Sequence, residues 1–121
     1  MSQDDRWRLQ HILDAAHEAM ALAQSQSRDA LSTDRKLALS LCHLLTIIGE
    51  AARYVSDAER DLHPQVPWRK MVGLRDRVVH RYFDTNLDTL WQIVQEDLPE
   101  LVSALEDLLP PLDVTEEVAA P

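Results

Sequence analysis

The chain has 121 residues, 45% of them hydrophobic, a net charge of -9 and one cysteine. That length suits one domain around one core, the lone Cys42 excludes an internal disulfide and a thiolate metal cluster, and no apolar run approaches the roughly 20 residues that span a bilayer. Only two glycines, against abundant Ala, Leu and Glu, exclude hairpin-rich and doubly wound folds and leave no phosphate-cradling loop.

The start, MSQDDRWRLQ, is polar and acidic, without the basic opening and apolar centre of a signal peptide, so a soluble, cytoplasmic protein is expected. Leu9, Ile12, Leu13, Ala16, Met20 and Ala23 recur at i, i+3, i+4, i+7 and predict a helix from about residue 4 to 26. SQSRDALSTD breaks it. A second helix, capped in the Ser32–Asp34 region, carries Leu37, Leu41, Leu44, Leu45, Ile48, Ala52 and Val55 on one stripe and ends near Ser56. Leu39, His43, Ile47, Glu50 and Tyr54 form a mixed stripe on its other side, suited either to a subunit contact or to ordinary surface. DAERDLHPQVP reads as a turn or short helical piece, and Pro67 suits the first turn of a third helix through about Arg81. A fourth repeats Leu87, Leu90, Trp91, Val94, Leu98, Leu101, Leu105 and Leu108, with a kink or restart at Pro99. Pro110 and Pro111 stop it. The expected fold is all-α, an antiparallel four-helix-type bundle over residues 1–112 with room for an additional short helix, followed by a disordered acidic tail over 113–121.

Charge is unevenly spread. Arg69, Lys70, Arg75, Arg77 and Arg81 stand within residues 69–81, opposed there only by Asp76, a basic island on an acidic protein where a polyanion can bind. On a helical wheel Trp68, Met71, Val72, Val78, Val79 and Tyr82 fall within roughly 60° of Arg75. An arginine inside an apolar stripe requires a carboxylate, a partner subunit or an anionic ligand. The same wheel sets His80 about 140° from Arg75, beside Asp76 and Arg77 and bordering the basic face.

Histidine with cations is what RNA cleavage by transesterification uses: a base for the ribose 2′-hydroxyl, an acid for the departing 5′-oxygen, and positive charge on the phosphoryl oxygens. Asp76 would orient His80 and favour its charged form. Spacing alone allows the plainer alternatives, a core ion pair for Arg75 and a surface pair for Asp76 and His80. His11, His17, His43 and His63 form no metal-ligand spacing with one another or with Cys42, so no metal or cofactor is expected.

The stretch WRKMVGLRDRVVHRYFDTNLDTLWQIVQEDLPEL, with IGEAARYVS upstream, resembles the HepT-like HEPN family over roughly residues 7 to 112. The likeness rests on Arg75-x4-His80-x-Tyr82 followed by Phe83-Asp84, after Trp68 and before Leu90-Trp91. It implies the toxin of a type VII-like toxin–antitoxin pair, a metal-independent endoribonuclease. Arg75 and His80 would be its catalytic pair at the cleft of a homodimer, and Arg69, Lys70, Asp76, Arg77 and Arg81 would support RNA binding. By the same resemblance Tyr82 is the tyrosine that a cognate MNT-type nucleotidyltransferase antitoxin adenylylates, blocking RNA by charge and bulk. One position departs from the pattern: Asp76 stands where the family often has Asn, and its carboxylate would repel phosphate unless paired with Arg77 or His80. The alternative is a non-catalytic helical dimer that binds a nucleotidyltransferase partner, or RNA, without cleavage.

Overall fold

The first helix, α1 (Gln3–Ala23), begins where the Ser2 hydroxyl accepts the Asp5 amide at 3.0 Å, the N-cap expected of serine. A computed structural model of the protein describes residues 1–81 and 84–109. A short helix, α2 (Ala30–Thr33), lies inside the stretch expected only to break the chain. The Asp34 carboxylate then caps α3 (Arg35–Arg53) by accepting the Leu37 amide at 3.1 Å. Every apolar residue assigned to the main stripe of this helix, from Leu37 to Val55, is buried.

Direction follows from end-to-end contacts. Asp5, in the first turn of α1, accepts the amide and hydroxyl of Ser56, just past α3, so the two helices run antiparallel. Ser56 in turn caps α4 (Asp57–Leu62), the short helical piece foreseen before Pro64.

The third predicted helix is instead three elements. It divides into α5 (Trp68–Val72) and α6 (Leu74–Val78), joined at Gly73, and α6 gives way to strand β1 (Val79–Arg81). The β-branched pair Val78-Val79 disfavours continuing the helix, and β1 instead pairs antiparallel with β2 (Asp84–Thr85). The Asn86 amide ties the base of this hairpin to the Val78 carbonyl at 2.7 Å.

The last bundle member runs as α7 (Leu87–Gln92), a π-helical stretch (Ile93–Asp97) and α8 (Leu98–Leu108). Pro99 has no N–H and its ring would press on the Gln95 carbonyl. The wider π turn just before it absorbs that clash, and the Leu98 amide reaches the Ile93 carbonyl five residues back. The restart expected at Pro99 is therefore present. His17 of α1 meets Glu106 of α8 at 3.3 Å, and one contiguous core draws on all four bundle members. The fold is all-α apart from the small hairpin, and no described helix is long and apolar enough to cross a membrane. The tail expected over 113–121 lies outside the described residues.

Candidate active site

The basic island spans the α5–α6 joint and the hairpin. Two five-residue helices have no stability of their own in water; their places are set by Trp68, Met71, Leu74 and Val78, all buried. Leu74, absent from the predicted stripe, is the residue that changes the helical wheel. With Met71 three positions before it and Val78 four after, Leu74 centres the buried face, and Arg75 turns to its edge with 47% of its side chain exposed. Arg75 is therefore not inside the apolar stripe. It still lies close enough to α3 for its charge to act on Cys42: burial pushes that half-buried thiol up, Arg75 pulls it down, and the net direction is up. Cys42 is thus a protonated, packed side chain.

His80 is not on a helix. It lies in β1 between Val79, which pairs with Thr85, and Arg81, which pairs with Asp84. One residue of β1 therefore lies between these two pairs with none opposite it, so His80 is the extra residue of a β-bulge, exposed to solvent. Bulges re-aim side chains and are frequent beside active sites. Since α6 ends at Val78, the expected i,i+4 helical pairing of Asp76 with His80 does not form. The Asp76 carboxylate faces Arg75 at 3.7 Å instead, both largely in water. Arg75 and His80 are joined through the backbone: the Val79 amide donates to the Arg75 carbonyl at the end of α6.

The remaining cations divide into two sets. Arg77 donates to Asp97 Oδ2 at 2.8 Å and Lys70 lies 3.3 Å from Asp97 Oδ1, with only 16% of the Asp97 side chain exposed. Arg69, His80 and Arg81 are exposed, and among the described residues no carboxylate lies within ion-pair range of them. Tyr82 lies outside the described residues; its neighbours Arg81 and Asp84 are both exposed at the paired end of the hairpin.

Residues 12–108 match the family described as ribonuclease HepT-like. The chain belongs to the HepT-like ribonuclease family. Its class of activity is accordingly that of an endoribonuclease. Among its relatives is a protein of Methanocaldococcus jannaschii named "Putative RNase", 34% identical over 81% of this chain and 90% of that protein. A "Probable ribonuclease HepT" of Thermococcus cleftensis is 39% identical over 62% of this chain and 68% of its own length. A second "Putative RNase", from Caldanaerobacter subterraneus subsp. tengcongensis, is 30% identical over 84% and 90%. No solved structure matches the chain.

Sequence reasoning missed two residues of this HepT-like site. Asp97 was hidden among many carboxylates, and its only local signal is its place just before the Leu98-Pro99 restart. Gly49 had a clearer one. A glycine in a helix interior costs about 1 kcal/mol against alanine and usually has a packing reason; here it lets the α5 backbone approach α3.

Proposed function

We propose that this protein is the toxin of a toxin–antitoxin pair and cleaves RNA by metal-independent transesterification, with Arg75 and His80 as the catalytic residues. The observation carrying this reading is the junction of α6 with the bulged strand: Arg75 sits at the exposed edge of the helix, its carbonyl holds the Val79 amide, and His80 projects from the very next residue. The ribose 2′-oxygen attacks phosphorus, its proton passing to an imidazole. The bond from phosphorus to the 5′-oxygen breaks, and that oxygen takes a proton from an imidazolium, leaving a cyclic phosphate. The Arg75 guanidinium matches the phosphoryl oxygens as their charge grows.

One histidine supplies one proton step at a time, so a homodimer cleft with two copies of His80 suits the reaction. What supports the dimer is the face of α3 bearing Leu39, His43, Glu50 and Tyr54, all exposed, beside half-buried Ile47. Cys42, whose thiol feels Arg75, is on the same helix, so pairing through this face would bring two basic islands towards one another. The exposed Arg69 and Arg81 would hold flanking phosphates. Restraint would come from an MNT-type nucleotidyltransferase antitoxin: the Tyr82 oxygen attacks the α-phosphorus of ATP, pyrophosphate leaves, the phenolic proton is lost, and an adenylate is left beside the cleft.

Purified wild type and His80→Ala, incubated with total RNA in chelator, test the reading together with growth of cells expressing each. Cleavage and growth arrest by wild type alone are expected. Equal behaviour of the two proteins would make His80 structural and overturn it.

A further inference from the structure

We infer that Asp97 is a positioning residue for RNA cleavage: one carboxylate that grips both halves of the broken helix and so sets where Arg75 and His80 stand. The inference rests on the ribonuclease reading of that pair.

Lys70, on α5, and Arg77, on α6, fall on opposite sides of the Gly73 joint, and each takes a different oxygen of the same carboxylate. Gly73 has φ -93° and ψ 5°, away from helical values, so nothing in the backbone makes α5 and α6 one rigid rod. Neither half is long enough to be stable alone. The apolar anchors Met71, Leu74 and Val78 fix how deep the segment sits, but apolar contacts are non-directional. Asp97 supplies the direction. An ion pair of 2.8 Å with a carboxylate that is mostly buried is short and orientation-dependent. Arg77 lies two residues after Arg75 and three before His80, so rotation of α6 about its axis moves both.

The platform is equally specific. Asp97 is the last residue of the π-helical stretch; that widened turn shifts the phase of the helix by one residue relative to α7, and Leu98 beyond it is fully buried. The proline that forces the π turn thus also decides which way Asp97 faces. Asp97 is engaged by two cations and its charge offsets one of theirs, so it lowers the positive charge available to RNA. A residue serving affinity alone would do the opposite.

This predicts a split that neither loss of fold nor loss of binding would produce. With a labelled single-stranded RNA oligonucleotide and the full chain, Asp97→Asn should lower kcat on the order of 10- to 100-fold, the scale of a misplacement near 1 Å, while KM stays level or falls because two cations are released. Asp97→Glu, keeping the charge, should recover part of kcat. Should Asp97→Asn fail to fold, Arg77→Met reads the same point: a loss in kcat supports the inference, and a rise in KM with kcat unchanged overturns it. Wild-type kcat in folded Asp97→Asn overturns it as well. His80→Ala is run alongside. If His80→Ala is inactive while Asp97→Asn cleaves normally, only the role of Asp97 falls; if His80→Ala cleaves normally, the ribonuclease reading of the site falls and the inference with it.

Discussion

A Cβ placed on Gly49 would lie 3.0 Å from the Val72 carbonyl oxygen and 3.4 Å from that of Met71, so α3 and the end of α5 meet backbone against backbone. Alanine there would gain about 1 kcal/mol in helix propensity, but the carbonyl it meets is main chain and cannot swing aside as a side chain would. Overpacking of this kind costs about 1–3 kcal/mol. Gly49→Ala is therefore expected to lose on the order of 1 kcal/mol, a fall of about 3–5 °C in Tm for a chain of this size. A Tm above that of wild type would show that α5 yields freely.

The carboxylate of Asp5 joins the start of α1 to the turn after α3. Burial pushes its pKa up, yet the hydroxyl and amide of Ser56, the Ser2 side chain and the Arg8 charge together hold it below its ordinary 3.8. A lowered folded-state pKa stabilises above the unfolded value, and the gain disappears as pH falls through the folded value. Asp5→Asn should cost about 1.5–3 kcal/mol at neutral pH, the range for hydrogen bonds to a charged group. Denaturant titrations of the two proteins should begin to converge as pH falls below 3.8 and meet once it is below the lowered folded-state value; a difference that persisted in acid where the carboxyl is protonated in both states would place the effect in packing rather than charge.

Affinity for RNA should depend unequally on the five cations of the island. Arg69 and Arg81 are exposed, whereas Lys70 and Arg77 are engaged by Asp97. Neutralising either of the first two should weaken binding at low salt and flatten the plot of log affinity against log salt by roughly 0.7, the counterion release of one single-strand phosphate. Lys70→Ala should change that slope less. Equal slopes for all four would mean that the Asp97 pairs open when RNA arrives.

Cys42 reports on Arg75 without RNA. Because the guanidinium pulls the thiol down against the stronger effect of burial, Arg75→Met should slow alkylation of Cys42 at mildly alkaline pH. Faster alkylation would mean that Arg75 shields the thiol sterically more than it activates it.

Asn86 closes the hairpin from outside. Its side chain caps α7 by accepting the Thr89 amide at 3.0 Å, and its own amide holds Val78. Asn86→Ala should cost about 1 kcal/mol of stability and, by loosening the strand that carries His80, reduce cleavage by more than that stability loss explains. Unchanged cleavage would show that the bulge holds its shape without this anchor.

Helical periodicity determined much of this protein by itself. The apolar stripes of α1, α3 and α7–α8 are spaced at the helical repeat, and they bury as expected because side-chain direction on a helix follows directly from spacing. Pro99 announced its own interruption, since a missing N–H and a fixed ring act locally. The basic island and the Arg75-x4-His80 pattern were equally readable, as composition and order need no folding. Tertiary structure alone decided what Trp68 to Arg81 became. On a wheel that segment is one helix with Arg75 among apolar residues; in the fold Leu74 takes the core position, Gly73 breaks the rod, and pairing with Asp84–Thr85 converts its end to a bulged strand. Each of these outcomes depends on partners distant in sequence: Asp97, twenty residues beyond Arg77, and Gly49, more than twenty before Val72. Short segments take their conformation from what they pack against, because too few hydrogen bonds form within them to offset the entropy of ordering.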